Sequence, residues 1–355
     1  MTMKRILALL MAVMMLTALT ACGNATGPAP SSQAPVASSQ APDANDPAPA
    51  APAGDDLIYV GFVQVGAESD WRMANTKSMQ ETFTEANGYK FEMVDAQQQT
   101  QKQITAIRDF IQKDVDYIVL APNTEAGWDT VLGEAKDAGI PVIIVDRMIQ
   151  TNDDSLFTAW VGSNFLQEGY DAVEALATAL KNKGIDPTEG EINIVTLQGT
   201  MGSSAQIGRT DGFAEKMKEY PNWKMLDKQS GDFTQEKGQE VMEAFLKSYP
   251  DIDVVIAEND NMAFGAINAI KAAGKTCGPN GDITIVSFDA VKAAFESMIA
   301  GDMDVSVECN PLHGPRVEGI IKALEAGQSV DKIAYVEEGT FYAKDAAEIM
   351  PTRAY

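Results

Sequence analysis

The stretch Pro141-Val142-Ile143-Ile144-Val145-Asp146-Arg147 decides the fold. Four β-branched residues in a row suit a strand buried on both faces, and Gly139 with Pro141 punctuates its start. The run ends in a carboxylate beside a guanidinium. In open parallel sheets the C-terminal edge of the strands is where ligands bind. Asp146 can accept two hydroxyl protons and Arg147 offers a fork of donors, so the pair suits an uncharged, polyhydroxylated ligand. It reads equally well as a surface ion pair at the start of a loop, and the flanking sequence has to decide.

Upstream, the same grammar repeats. Residues 57–63 and 89–94 read as strands, as does Tyr117-Ile118-Val119-Leu120. Between them lie helical patterns over 71–87 and 100–113, with Ile104, Ile107 and Ile111 on one face. A helix over 124–138 closes at Gly139 and leads into the strand 140–145. Downstream, a strand-like link at 157–161 opens a second set: strands near 191–197, 224–228, 253–257 and 282–288, with helices near 164–182, 205–220, 235–248 and 261–273. Strict alternation of strand and helix predicts parallel sheets covered on both faces. Val305 to Glu308, a helix from about Pro315 to Glu325 and a short strand near 332–336 are too few for a third domain. They are expected to return to the first two, which makes a hinge. No glycine-rich phosphate signature follows any strand, which speaks against nucleotide cofactors; no cofactor is expected.

The N-terminus has Lys4 and Arg5, an apolar run over 6–19, and then Leu19-Thr20-Ala21-Cys22. This is a secretory signal, too short to span a bilayer. Cys22 in that setting resembles a bacterial lipobox, which implies cleavage after residue 21 and a lipid on Cys22. Residues 22–56 are almost all Ala, Pro, Ser, Gln, Gly and Asp. They cannot form a core and are expected to serve as a tether reaching up to roughly 100 Å. The formal charge is −24, and removing the signal takes away two positive charges and no acid. Such a chain repels nucleic acid and anionic lipid. Besides Cys22 only Cys277 and Cys309 occur, which is no disulfide framework, though a single bridge stays open. One histidine, His313, leaves catalytic triads and zinc sites without their usual parts. No metal is expected.

Several motifs occur together: Val60-Gly61-Phe62, Glu68-Ser69 with Trp71-Arg72, Val145-Asp146-Arg147, and Leu197-Gln198-Gly199-Thr200. Further along come Arg209 with Gly212-Phe213, Ser230 to Thr234, Asn259-Asp260 with Met262, Ser287-Phe288-Asp289 and Ser306-Val307-Glu308. In this order they resemble the bacterial periplasmic sugar-binding proteins of ATP-driven (ABC) uptake systems, in the ribose-binding branch and its galactofuranose-binding type. The resemblance runs from about Leu57 to the C-terminus.

It implies an α/β fold of two Rossmann-like lobes with parallel sheets, joined by a three-strand hinge. One lobe would hold 57–161 plus 306–327, the other 162–305 plus 328–355. It also implies a ligand site made of Ser69, Trp71, Arg72, Asp146 and Arg147 from the first lobe, Arg209, Phe233, Asn259 and Asp289 from the second, and Glu308 from the last crossover. Each has a plainer reading. Trp71 and Phe233 could be core, Asn259 could shape a turn, Asp289 could cap a helix before Ala290, and the face of Glu308 turns on a one-residue register. Asp70, Gly208 and Glu258 depart from the family pattern beside these positions. The expected function is capture of a monosaccharide by a monomeric, membrane-tethered, extracytoplasmic protein that hands it to an ABC permease with its ATPase. The alternative is a sensor that presents such a ligand to a membrane receptor. No enzymatic activity and no nucleic-acid partner are expected. An enzyme on this fold would draw its carboxylates from Asp146, Glu308 or Asp289.

Overall fold

The computed structural model describes residues 57–355; the signal, Cys22 and the tether lie outside the described residues. The chain runs β1 (Ile58–Gln64), α1 (Asp70–Thr82), β2 (Tyr89–Asp95), α2 (Thr100–Gln112), β3 (Tyr117–Leu120), α3 (Asp129–Asp137), β4 (Val142–Val145) and β5 (Ala159–Gly162). It continues through α4 (Phe165–Asn182), β6 (Ile192–Gln198), α5 (Ser204–Lys216), β7 (Trp223–Ser230), α6 (Gln235–Ser248), β8 (Val254–Ala257), α7 (Asp260–Ala272) and β9 (Thr284–Asp289). The last elements are α8 (Lys292–Ala300), β10 (Val305–Glu308), α9 (Gly314–Glu325), β11 (Ile333–Tyr335), β12 (Thr340–Tyr342) and α10 (Ala346–Ile349).

Two six-stranded sheets form, ordered β11-β5-β4-β3-β1-β2 and β12-β10-β9-β8-β6-β7. Every neighbouring pair is parallel except β10–β12. The all-β-branched strand β4 is buried at every position, in the interior of the first sheet. Strand order reverses between β1 and β3 in one sheet and between β6 and β8 in the other. That reversal opens a crevice at the C-terminal strand ends of each lobe, and the two crevices face one cleft.

Three segments pass between the sheets: from β5 to α4, from β10 to α9, and from β11 to β12. Here the expected lobe boundaries need correction. β10 pairs with β9 and belongs to the second sheet, and α9 packs on α1. β11 pairs with β5 and belongs to the first sheet. The first lobe is therefore roughly 57–162 plus 310–336, and the second 163–309 plus 337–355. Backbone pairing chooses the sheet, and these short segments match either lobe in composition.

Local corrections follow from turn chemistry. The helix expected over 124–138 starts only at Asp129, because Pro122 and Gly127 (φ 99°) keep the preceding segment a loop. α8, β12 and α10 go beyond the sequence reading. Cys277 and Cys309 are both buried and free, so the open disulfide is absent.

Candidate functional site

Each sheet delivers its polar residues to the cleft from strand ends. After β1, Ser69 caps α1 by accepting from the Arg72 amide at 3.1 Å, which fixes the turn on which Trp71 and Arg72 stand. Asp146 follows β4 directly, Phe233 follows β7, Asn259 follows β8 and Asp289 ends β9. Asp146, Phe233 and Asp289 all adopt positive φ (63°, 60° and 107°). Non-glycine residues rarely sit there, and each such residue costs ~1–3 kcal/mol. The ring of Phe233 lies over the backbone of Gly199, where any side chain would collide with it.

The first lobe's grip is a chain of ion pairs. Arg72 Nη2 donates to Asp146 Oδ2 at 2.6 Å, and Arg72 Nε to Glu68 Oε1 at 3.1 Å. Arg147 donates to the carbonyl of Asn123 at 3.1 Å and lies 3.5 Å from Glu68 Oε1. The second lobe mirrors this with one arginine. Arg209 Nε donates to Glu168 Oε2 at 2.6 Å, its Nη1 to the carbonyl of Glu258, and its Nη2 lies 3.5 Å from Asp289 Oδ1. Glu168 reaches Arg209 because α4 and α5 touch through glycines. A Cβ on Gly169 would stand 2.7 Å from the Arg209 carbonyl, and one on Gly208 2.6 Å from the Phe165 Cβ.

A cavity lies between these groups. Ser69, Trp71, Arg72, Asp146, Arg147, Arg209, Phe233, Asn259 and Asp289 all line it, and all are buried. The cleft is shut. Asp70 donates its amide to Asn261 Oδ1 at 3.0 Å, Met148 its amide to Ser204 Oγ at 2.8 Å, and Glu125 its amide to the Gly202 carbonyl at 2.9 Å, each across the lobes. The guanidinium of Arg147 stacks over the Phe233 ring at 5.1 Å, again from lobe to lobe.

Glu308 is the exception among the expected site residues. Its Oε1 accepts from Tyr355 at 2.6 Å and pairs with Arg353 at 2.7 Å, and its Oε2 accepts the Gly339 amide at 3.0 Å. It clamps the C-terminus, and its neighbour Cys309 lines the cavity instead. The register is the one-residue ambiguity of a short strand. Glu68, Ala205 and Cys309 line the cavity and are additions. Glu68 had a signal in its four-residue spacing to Arg72; Ala205 had none. Asn259 combines both readings: Oδ1 caps α7 on the Met262 amide, and Nδ2 holds the Phe233 carbonyl. Asp289 caps no helix, since α8 starts at Lys292. Of the departing residues, Asp70 makes an interlobe contact, Gly208 permits the α4–α5 approach, and Glu258 is buried, accepting from Gly199 N at 2.7 Å and Thr210 Oγ1 at 2.5 Å.

Burial works against every charge here. Against that penalty, Arg72 and Arg147 still hold the Asp146 carboxyl below its ordinary value. Burial and the neighbouring Arg72 push Arg147 down to about 10. Burial lifts Asp289 well above the carboxylate range despite Arg209, with Asp260, Glu168 and Asp146 adding to it. Burial pushes Glu258 up to about 7. One oxygen of Glu68, Oε2, is buried without a hydrogen-bond partner. A closed space of fixed donors and acceptors with an aromatic ring from each lobe is built to hold a polar, hydroxyl-bearing ring.

Known proteins match this chain over most of its length. The galactofuranose-binding protein YtfQ of Escherichia coli is 40% identical over 293 residues, 81% of this chain and 89% of that protein. A Mycobacterium smegmatis protein solved with β-D-fucofuranose is 42% identical with a TM-score of 0.80, covering 84% and 96% of the two chains. The arabinose-transporter binding protein of Shewanella sp. ANA-3, solved with L-arabinofuranose, is 39% identical with a TM-score of 0.76 over 83% and 95%. The Escherichia coli and Shewanella proteins are named for sugar binding and transport, not for catalysis. Residues 60–314 match the model of the periplasmic binding protein domain, and the chain belongs to that family.

Proposed function

We propose that this protein captures one monosaccharide in its furanose form, closes over it, and delivers it to an ABC permease while tethered by a lipid on Cys22. The observation that carries the reading is the cavity between the lobes, lined by Arg72–Asp146 on one side and Arg209–Asp289 on the other, with Trp71 and Phe233 as its aromatic walls. Paired charged groups exchange strong hydrogen bonds with adjacent hydroxyls, each worth ~1.5–3 kcal/mol, and the aromatics cover the apolar face of a ring. The furanose preference draws on the three relatives above, whose names or bound ligands are furanoses. A ligand that touches both lobes favours the closed state over the open one, and the closed form is what a permease would recognise.

A thermal-shift screen over galactose, arabinose, fucose, ribose, fructose and inositol tests the sugar. At a hundredfold excess over Kd a ligand adds ~2.7 kcal/mol, which raises Tm by about 5 °C or more. No shift with any sugar, alongside a shift with an amino acid, overturns the reading. The anchor is tested by labelled fatty-acid incorporation, which should be lost in Cys22→Ser.

A further inference from the structure

Behind the cavity the three segments that pass between the lobes meet at one point. Ser163 follows β5, Cys309 and Asn310 follow β10, and Glu338 lies between β11 and β12. Glu338 Oε1 accepts from Ser163 Oγ at 2.6 Å and from the Asn310 amide at 2.6 Å, and Ser163 Oγ lies 3.2 Å from Cys309 Sγ. A single carboxylate oxygen thus ties all three crossovers together. Glu168 completes the group, with one atom each of Glu168, Cys309 and Glu338 lying within 4.8 Å of one another. Glu168 Oε2 holds Arg209, while the other oxygen, Oε1, is buried without a partner. Cys309 faces the cavity, and Glu338 is partly exposed, so a proton can reach the cluster.

We propose that Glu338 and Glu168 form a proton-holding clasp at the hinge: a proton taken by Glu338 leaves Glu168 ionised to position Arg209, which makes sugar binding proton-linked. This rests on the sugar reading of the cavity. Two carboxylates and a thiol this close in a buried site cannot all be ionised. Among the described residues Arg209 on α5 is the cation paired with the group; Asp289 on β9 and Asp146, just past β4, add negative charge. On the C-terminal side Glu308 and Arg353 are paired with each other. Burial, with the charge of Glu168, pushes Glu338 up to about 8. Burial also raises Glu168 in spite of Arg209. A divalent cation fits less well than a proton, because the guanidinium already sits 2.6 Å from Glu168 and the Ser163 hydroxyl already satisfies Glu338.

Closure removes water from the cavity side of Cys309, so charge on the cluster costs more in the closed state than in the open one. The closed state therefore binds the proton more tightly. Because sugar selects the closed state, sugar and proton bind cooperatively. The carboxyl pKa is higher in the closed form, so sugar affinity is greatest at low pH. It falls as pH rises toward about 8 and levels off above.

Calorimetric titration with D-galactose, L-arabinose and D-fucose at pH 6 to 9, in phosphate and in Tris, tests this. Wild type should lose affinity roughly three- to thirtyfold across that range, within the tenfold per pH unit that one proton allows, and its heat should differ between the buffers by proton uptake. Glu338→Gln keeps the acceptor oxygen; it should bind at pH 6 within threefold of wild type and show no slope. Ser163→Ala removes a hydrogen bond that lowers the Glu338 pKa and should move the slope to higher pH. A flat wild-type profile, a slope that persists in Glu338→Gln, or a slope abolished by EDTA overturns the clasp while leaving the sugar reading intact. Failure of every sugar of the thermal-shift screen to bind at any pH overturns the sugar reading, and the clasp with it.

Discussion

Asp146 is a carboxylate held at φ 63°, buried, and paired with Arg72 at 2.6 Å. Strained backbone of this kind persists only where the surroundings enforce it. Here the enforcing groups are the strand before it and the guanidiniums around it. Removing the carboxylate leaves two buried arginines with one fewer partner and takes an acceptor from the cavity. Asp146→Ala and Arg209→Ala should therefore each weaken sugar binding by at least ~1.5–3 kcal/mol, which is tenfold to more than a hundredfold. Titration calorimetry reads this, and circular dichroism should stay native. Near-wild-type affinity in both would move the site elsewhere. Glu308→Ala is the contrast. Glu308 holds Arg353 and Tyr355 outside the cavity, so its loss should lower stability by about 2 kcal/mol in chemical denaturation and leave affinity within twofold. The expected cavity residues were legible because each lies at or just past the end of a strand, or in the first turns of the helix that follows it. Glu308 was not, because a four-residue strand leaves its facing open by one position.

At the scale of elements, helix ends carry the clearest test. α2 closes with a Schellman motif: the Asp114 amide bonds to the Ile111 carbonyl at 3.1 Å and the Val115 amide to the Phe110 carbonyl at 3.3 Å. The left-handed position is Asp114 at φ 52°, where α3 has Gly139 at φ 75° in the same motif. Asp114 is exposed, so Asp114→Gly should stabilise by ~0.5–1 kcal/mol and raise Tm by a few degrees. No gain would mean that the aspartate side chain makes a compensating bond. Long, periodic helices such as α2 and α6 were readable from their apolar stripes. α8 was not: Lys292–Ala300 is nine residues, mostly apolar, with no side-chain cap. β12 is three residues long and exists only through antiparallel pairing with β10, which no local pattern encodes. The contact of α4 with α5 was equally hidden, since Gly169, Gly208 and Gly212 meet only in the folded state.

For the whole molecule, two lobes of the same strand order close over one cavity. Alternation of strands and helices made that architecture legible; which lobe owns β10 and which owns β11 did not follow, because pairing partners lie far away in sequence. Buried ionisable groups set the molecule's response to pH. Burial pushes Glu258 and Asp260 up to about 7 and Asp304 up to about 6. Their stabilising contribution is full below their unfolded values near 4 and is lost as pH rises through 6 to 7. Burial pushes His313 down to about 4, so its contribution is present above 6.5 and lost as pH falls toward 4. Three raised acids outweigh one lowered histidine, and the −24 net charge adds repulsion as pH rises. Tm should therefore drop by more than about 5 °C from pH 5 to pH 8 in a thermal scan; a rise over that range would contradict these assignments.

The central claim is that one monosaccharide sits between the lobes, gripped by both. Trp71 lines the cavity with its indole N–H donated to the Cys309 carbonyl at 2.6 Å, so its fluorescence reports occupancy. Titrating D-galactose or L-arabinose into wild type at pH 6 should give a saturable change with one site per chain, absent in Asp146→Ala. No saturable signal with any sugar of the thermal-shift screen, or an unchanged signal in Asp146→Ala, would contradict the account.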